Sequence, residues 1–130
     1  MIARWTEFNG GPRKPSHERH HVTLNDKGVM LLNRTAWESL GRPEAVVLLF
    51  DQTNDMIGIK PSSADRPNAF PVKGQQYSRI IYASPFCVHF GFEIERTMVI
   101  NEVEVDDQGI MRLRLRTATG ISRPRKKRGP

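Results

Sequence analysis

Residues 22–61 read VTLNDKGVMLLNRTAWESLGRPEAVVLLFDQTNDMIGIKP. Val22-Thr23-Leu24-Asn25 alternates apolar and polar side chains, the pattern of a half-buried strand. Asp26-Lys27-Gly28 supplies a turn, and residues 29–32 form a second, more continuously apolar strand. Asn33 or Thr35 can cap a short helix in which Ala36, Trp37 and Leu40 recur at helical spacing. Gly41 takes the position after the helix where positive φ is favoured, and Pro43 prevents continuation. Residues 45–50 then read as a buried strand, 52–55 as a turn, and 56–59 as the antiparallel return, stopped by Pro61.

Outward from this stretch, residues 62–76 are rich in Pro, Ser and Gly and read as a connecting loop, with the semi-apolar run 68–72 packing on the body. The pattern then restarts. Residues 78–83 are a strand, Ser84 caps a helix whose first residue is Pro85, and Gly91 ends it. Residues 97–105 read as one long strand, Asp106-Asp107-Gln108-Gly109 as a turn and 110–115 as the return. A shift of 50 residues places Leu31 on Ile81, Ala36 on Phe86, Leu40 on Phe90 and Gly41 on Gly91; with one inserted residue, Gly58-Ile59 falls on Gly109-Ile110. Two such units, at 22–61 and 78–115, can bury strand faces that one unit leaves open, by closing into a small barrel without free edges. The expected fold is therefore mainly β with short helices: a single barrel domain over residues 22–117, preceded by an arm at 1–21 and followed by a basic tail at 118–130.

The order V-T-L-N-x-K-G-V, two apolar residues, a short helix ending L-G, an apolar strand, a turn and I-K-P resembles the AbrB-like swapped-hairpin family of bacterial transition-state regulators and antitoxins. The resemblance covers about 40 of the 130 residues, Val22 to Pro61. It implies half of an intertwined β-barrel, and two copies in one chain are similar to the MraZ type of organisation. It also implies DNA binding, with Lys27 and Arg34 the basic side chains near the places where the family uses them. After the turn glycine the family usually has an arginine, and before the helix a proline; this chain has Val29 and Asn33.

Charge is distributed unevenly. The net charge is +6, of which residues 1–21 carry +2 and residues 118–130 carry +5, leaving the body at −1. Arg123, Arg125, Lys126, Lys127 and Arg128 place five positive charges in six residues between prolines, a segment that attracts phosphates by counterion release. With 38% hydrophobic and 26% charged residues the composition is that of a globular protein. No apolar run approaches the roughly 20 residues of a membrane span, and no secretory signal is evident, so a cytoplasmic location is expected. Cys87 is the only cysteine and can form no intramolecular disulfide.

Signals for catalysis are weak. His17, His20 and His21 lie in the arm and read as solvated histidines, and no zinc-binding spacing occurs. His89 follows Cys87 by two residues on a helix, so the two face different directions, and Cys87 reads as a core residue. Glu102 and Glu104 share one strand face opposite Arg112, Arg114 and Arg116, as cross-strand ion pairs do. No phosphate-cradling glycine loop or nucleophile elbow is present, so neither an enzyme nor a cofactor is expected. The leading expectation is a nucleic-acid-binding regulator, with DNA the expected ligand, acting alone or as a homodimer. Its contacts would be Lys27, Arg34 and the basic tail. The alternative is an antitoxin-like module that binds another protein through Trp5, Phe8, Phe70 and Phe92. Trp5 and Phe8 would in that case dock on a partner, where the plainer reading has them covering part of their own core.

Overall fold

The computed structural model describes residues 2–12, 19–74, 77–118 and 125–126. Strands β1 (Val22–Leu24) and β2 (Val29–Asn33) pair antiparallel. The Asn25 side chain organises their turn: its Oδ1 accepts from the backbone N–H of Lys27 and of Val29, each at 2.9 Å. Strand β2 runs directly into helix α1 (Arg34–Ser39), because Asn33 Oδ1 accepts from Ala36 N at 2.9 Å and so satisfies one of the donors a helix start leaves open. Asn33 is thus the cap, and Thr35 is already helical. Strands β3 (Ala45–Asp51) and β4 (Met56–Ser62) form the next hairpin. Pro61 does not stop β4, contrary to the expectation. Past Ile59 the strand keeps a neighbour only on the β3 side, where a residue without an N–H is tolerated.

The connecting loop contributes two short strands, β5 (Phe70–Pro71) on β3 and β6 (Lys73–Gly74) on β7 (Ser78–Tyr82). Phe70 and Val72 pack against the core, as their apolar character indicated. Helix α2 (Ser84–Phe90) has Ala83, not Ser84, at its cap, and no side chain serves there. Gly91, at φ 70°, ends it in the left-handed conformation, and β8 (Phe92–Glu93) follows. Residues 97–105 are two strands rather than one: β9 (Met98–Ile100) pairs with β1, and β10 (Val103–Val105) pairs with β11 (Met111–Arg114). A 3-10 turn at Leu115–Thr117 follows β11, and the backbone of β12 (Arg125–Lys126) pairs with β8.

Two five-stranded antiparallel sheets result, ordered β6-β7-β2-β1-β9 and β10-β11-β4-β3-β5, with β8 and β12 as a separate pair. Their buried faces meet in one core, to which Leu24, Met30 and Ile81 come from the first sheet and Ile57, Ile59 and Leu113 from the second. Ala36 and Leu40 from α1, and Phe86 and Cys87 from α2, join that core. The expected closed barrel is not what is seen, since neither sheet closes on itself. The strand expected at residues 97–105 breaks at Asn101-Glu102. Met98 and Ile100 occupy even positions and are buried, whereas the next apolar residues, Val103 and Val105, occupy odd ones, so one straight strand would point the two pairs to opposite faces. The chain instead changes sheets there, and β9 and β10 become edges of different sheets.

Of the glycine matches, Gly41 and Gly91 both follow helices at positive φ, whereas the match of Gly58 to Gly109, read with one inserted residue, fails. Gly58 lies inside β4, whereas Gly109, at φ 78°, is a turn residue like Gly28, at φ 76°. In the β10–β11 turn Asp106 Oδ1 accepts from Gln108 N at 2.9 Å and from Ile110 N at 3.0 Å, reproducing the role of Asn25. These backbone donors, first that of Ile110, hold the Asp106 carboxyl below its ordinary range, with a further bond from Arg112 Nε at 3.0 Å. A carboxyl depressed in the folded state supports the fold above its unfolded pKa, and that support is lost as pH falls through the folded value. Stability against urea is therefore expected to decline from about pH 4 downward, in part through Asp106. Asp106→Asn should keep the turn, as Asn25 does in the other hairpin, and give a shallower acid limb. An unchanged acid limb would exclude Asp106 as a contributor.

Candidate nucleic-acid interface

Two of the expected body contacts lie far apart. Lys27 sits exposed in the β1–β2 turn, beside the start of α2: Ala83 N donates to Gly28 O at 2.8 Å. Arg34 opens α1 at the other end of β2, so the strand separates them by about 16 Å at roughly 3.3 Å per residue. Lys60 stands on β4 opposite Val47, in the other sheet. Arg123, Lys127 and Arg128 lie outside the described residues. For Arg125 and Lys126 the described feature is the backbone ladder, which sets them opposite Glu93 and Phe92.

What gathers around Arg34 is a cluster built on Trp37. Gly41, at φ 87°, and Arg42, at φ 55°, reverse the chain after α1, and Arg42 N donates to Trp37 O at 3.1 Å. The reversal brings Pro43 O to accept from Trp37 Nε1 at 3.0 Å, which fixes the indole. It also brings the Arg42 guanidinium to Glu38, at 2.6 Å, while Arg34 approaches the same carboxylate at 3.6 Å. Arg79, set beside Leu32 by the β2–β7 ladder, lays its guanidinium 4.0 Å from the Trp37 ring centroid, and that of Arg42 lies at 6.0 Å.

Two arginines, Arg42 and Arg79, thus lie against one tryptophan, and Glu38 pairs with Arg42 and with a third, Arg34. Stacking on the ring contributes on the order of 0.5–2 kcal/mol per cation and orients the Arg79 guanidinium, whereas exposed ion pairs contribute at most about 1 kcal/mol. The Arg34 and Arg42 side chains are 68% and 60% exposed, so their charges face solvent and can exchange Glu38 for another anion. The sequence reading found Arg34 alone as a contact here. Arg42 follows a glycine that any helix-end argument marks, but its approach to Glu38 depends on its own left-handed backbone, which is uncommon outside glycine. Arg79 arrives from a strand more than 40 residues away in sequence.

The remaining candidates are structural. Of the ion pairs expected on the β10–β11 hairpin, Arg114 reaches Glu104 at 2.9 Å and Glu102 at 3.5 Å, Arg112 instead reaches Asp106 at 3.0 Å, and Arg116 lies in the 3-10 turn beyond the strand. A depression of about 370 Å³ beside this hairpin is lined by Asp51, Gly58, Asp106 and Arg112. Asp51 accepts from Asn54 Nδ2 at 2.7 Å and from Asn54 N at 3.1 Å, and these bonds hold its carboxyl below the usual range. Both carboxylates are committed to local turns. Cys87 is buried, and burial pushes its thiol up to about 11, away from a thiolate at neutral pH. Among the described residues no group of three or more His, Cys, Asp and Glu side chains converges as metal ligands do. No described helix is long and apolar enough to cross a membrane.

The four aromatic residues singled out as partner anchors divide. Phe70 and Phe92 are half-buried and pack against the core, Phe92 edge-on to Phe50 at 4.9 Å. Trp5 and Phe8 do not cover the core: they are 91% and 81% exposed. Comparison with protein-family models, with curated proteins and with solved structures finds no match to this chain.

Proposed function

We propose that this chain is a nucleic-acid-binding regulatory protein, of the AbrB-like kind that the element order of residues 22–61 resembles. In this reading the phosphate backbone is held by the Trp37 arginine cluster and by the basic residues 123–128. The observation that carries the reading is the convergence of Arg42 and Arg79 on one indole, with Arg34 joined to Arg42 through Glu38, on a folded body whose net charge is −1. Guanidinium groups held in a fixed orientation suit phosphate oxygens, which they bind in bidentate fashion. Lys27, at the far end of β2, would reach a second stretch of the same duplex. Compaction into an intertwined barrel belongs to the same proposal: two copies could cover the sheet edges that one copy leaves open.

Fluorescence anisotropy with a random duplex at about 50 mM and 200 mM salt tests the reading. Each lost phosphate contact lowers the slope of log affinity against log salt by about 0.9 for duplex DNA. The expected result is a steep slope for the full chain, reduced by about 2 in Arg34→Ala/Arg42→Ala and reduced further when residues 121–130 are deleted. No binding to duplex DNA or RNA at low salt, or binding unchanged by the deletion, would sink the proposal.

A further inference from the structure

Glu38 is an acid that its own helix does not favour. Arg34 stands in the first turn of α1 and Glu38 in the last, which reverses the charges that helix ends prefer, and an arginine four residues before a glutamate is the weaker order of such a pair. Glu38 nevertheless joins two arginines: its Oε2 lies 2.6 Å from Arg42 Nη2 and its Oε1 3.6 Å from Arg34 Nε. Arg42 reaches it from a backbone at φ 55°, a conformation uncommon outside glycine and one that recurs in ligand clamps. That backbone is fixed by Gly41 N, which donates to Glu38 O at 3.0 Å, and by Arg42 N, which donates to Trp37 O at 3.1 Å. One carboxylate thus bridges two guanidinium groups that both face solvent.

We propose that Glu38 holds the seat of one backbone phosphate: it pairs Arg34 and Arg42 in the free protein and yields them to a phosphodiester when nucleic acid binds, so that it restrains affinity. The inference rests on the nucleic-acid reading above and adds the regulation of that site. A phosphodiester shares its charge between two oxygens, which take up the two guanidinium groups as the two carboxylate oxygens do. The exchange is within reach because an exposed ion pair is weak in water, whereas a duplex offers one charge per about 1.7 Å of its axis. Bases are not what the site accepts. Trp37 Nε1 is committed to Pro43 O and Arg79 lies on the ring, so the indole offers a base neither that donor nor that face. Glu38 therefore acts on every sequence alike, as a competing anion built into the chain.

Anisotropy with a random duplex at about 50 mM salt compares the full chain with Glu38→Gln. Binding is expected to tighten roughly 5-fold or more, the scale of releasing two exposed ion pairs. Glu104→Gln removes the same charge beside Arg114 on the other sheet, and should tighten binding by no more than about 2-fold. Placed in Arg34→Ala/Arg42→Ala, Glu38→Gln should add no more than that control does, since neither arginine is left to release. Unchanged circular dichroism separates these effects from unfolding. The inference is overturned if Glu38→Gln gains no more than Glu104→Gln, or if its gain persists without the two arginines. A parent chain that binds, and loses salt slope in Arg34→Ala/Arg42→Ala, while Glu38→Gln gains nothing, keeps the nucleic-acid reading and removes only the role of Glu38. No binding by either chain removes both.

Discussion

Ile59→Ala is expected to lower the free energy of unfolding by about 3–4 kcal/mol, within the range of about 2–5 kcal/mol for truncating a buried isoleucine. Ile59 is fully buried, and the ladder places it between Leu48 on β3 and Met111 on β11, in the middle strand of the second sheet. Both neighbours are held by backbone ladders, so the walls cannot collapse into the space left behind and the cavity persists. Leu49→Ala is the control. Leu49 is the next residue along β3, faces outward and is 38% exposed, and its truncation should cost no more than about 1 kcal/mol. Urea unfolding followed through Trp37 fluorescence measures both. A larger effect at Leu49 than at Ile59 would mean that the hairpin is paired one residue out of register, because such a slip exchanges the two faces.

Gly28→Ala is expected to cost about 3 kcal/mol, and Gly109→Ala only about 1. The two glycines occupy equivalent turns with nearly equal φ, 76° and 78°, so the backbone strain on gaining a Cβ is the same. Their surroundings differ. A Cβ on Gly28 would stand 2.7 Å from Ser84 Cα and 3.0 Å from Ser84 N, whereas at Gly109 nothing lies within 4 Å. The obstruction is the backbone where β7 turns into α2, which cannot move aside as the end of a long side chain can. Relief requires parting the first hairpin from the second unit, so the difference between the variants reports how tightly the halves of the chain are joined. Equal losses in the two variants, read from denaturant midpoints at constant slope, would show that the Ser84 contact carries no cost.

Much of the local structure was legible because its signals are local. Asn25-Asp26-Lys27-Gly28 has a side chain that bonds two nearby N–H groups and a glycine that turns the chain, and both lie within five residues. Asn33 before α1 and Gly91 after α2 are of the same kind. The single strand expected at residues 97–105 failed although a signal was there: the alternation of apolar residues changes phase at Asn101-Glu102. Pro61 misled because a proline's effect depends on whether a neighbouring strand needs its N–H, and that neighbour, β11, comes some 50 residues later. Ser84 has the right residue type for a cap, but the preceding Ala83 takes the position.

The candidate site divides in the same way. The i, i+4 pair Arg34 and Glu38 is written in five consecutive residues, and the five-charge run at 123–128 in six. That Lys27 stands away from Arg34, and that Arg79 comes to lie on Trp37, follows from the pairing of β2 with β7, which no spacing within residues 22–61 encodes.

By itself the sequence determined the two hairpins and α1 within residues 22–61, apart from where β4 ends, and β7, α2 and the Asp106–Gly109 turn in the second unit, because hydrophobic period, capping and turn chemistry act over a few residues. It also determined where the charge lies. Only the tertiary structure decided which strand stands beside which, that the sheets remain open, that Arg42 and Arg79 share one tryptophan and that Trp5 and Phe8 lie outside the core. Those outcomes depend on contacts between distant segments, whose energies are set by burial and fit across the whole core.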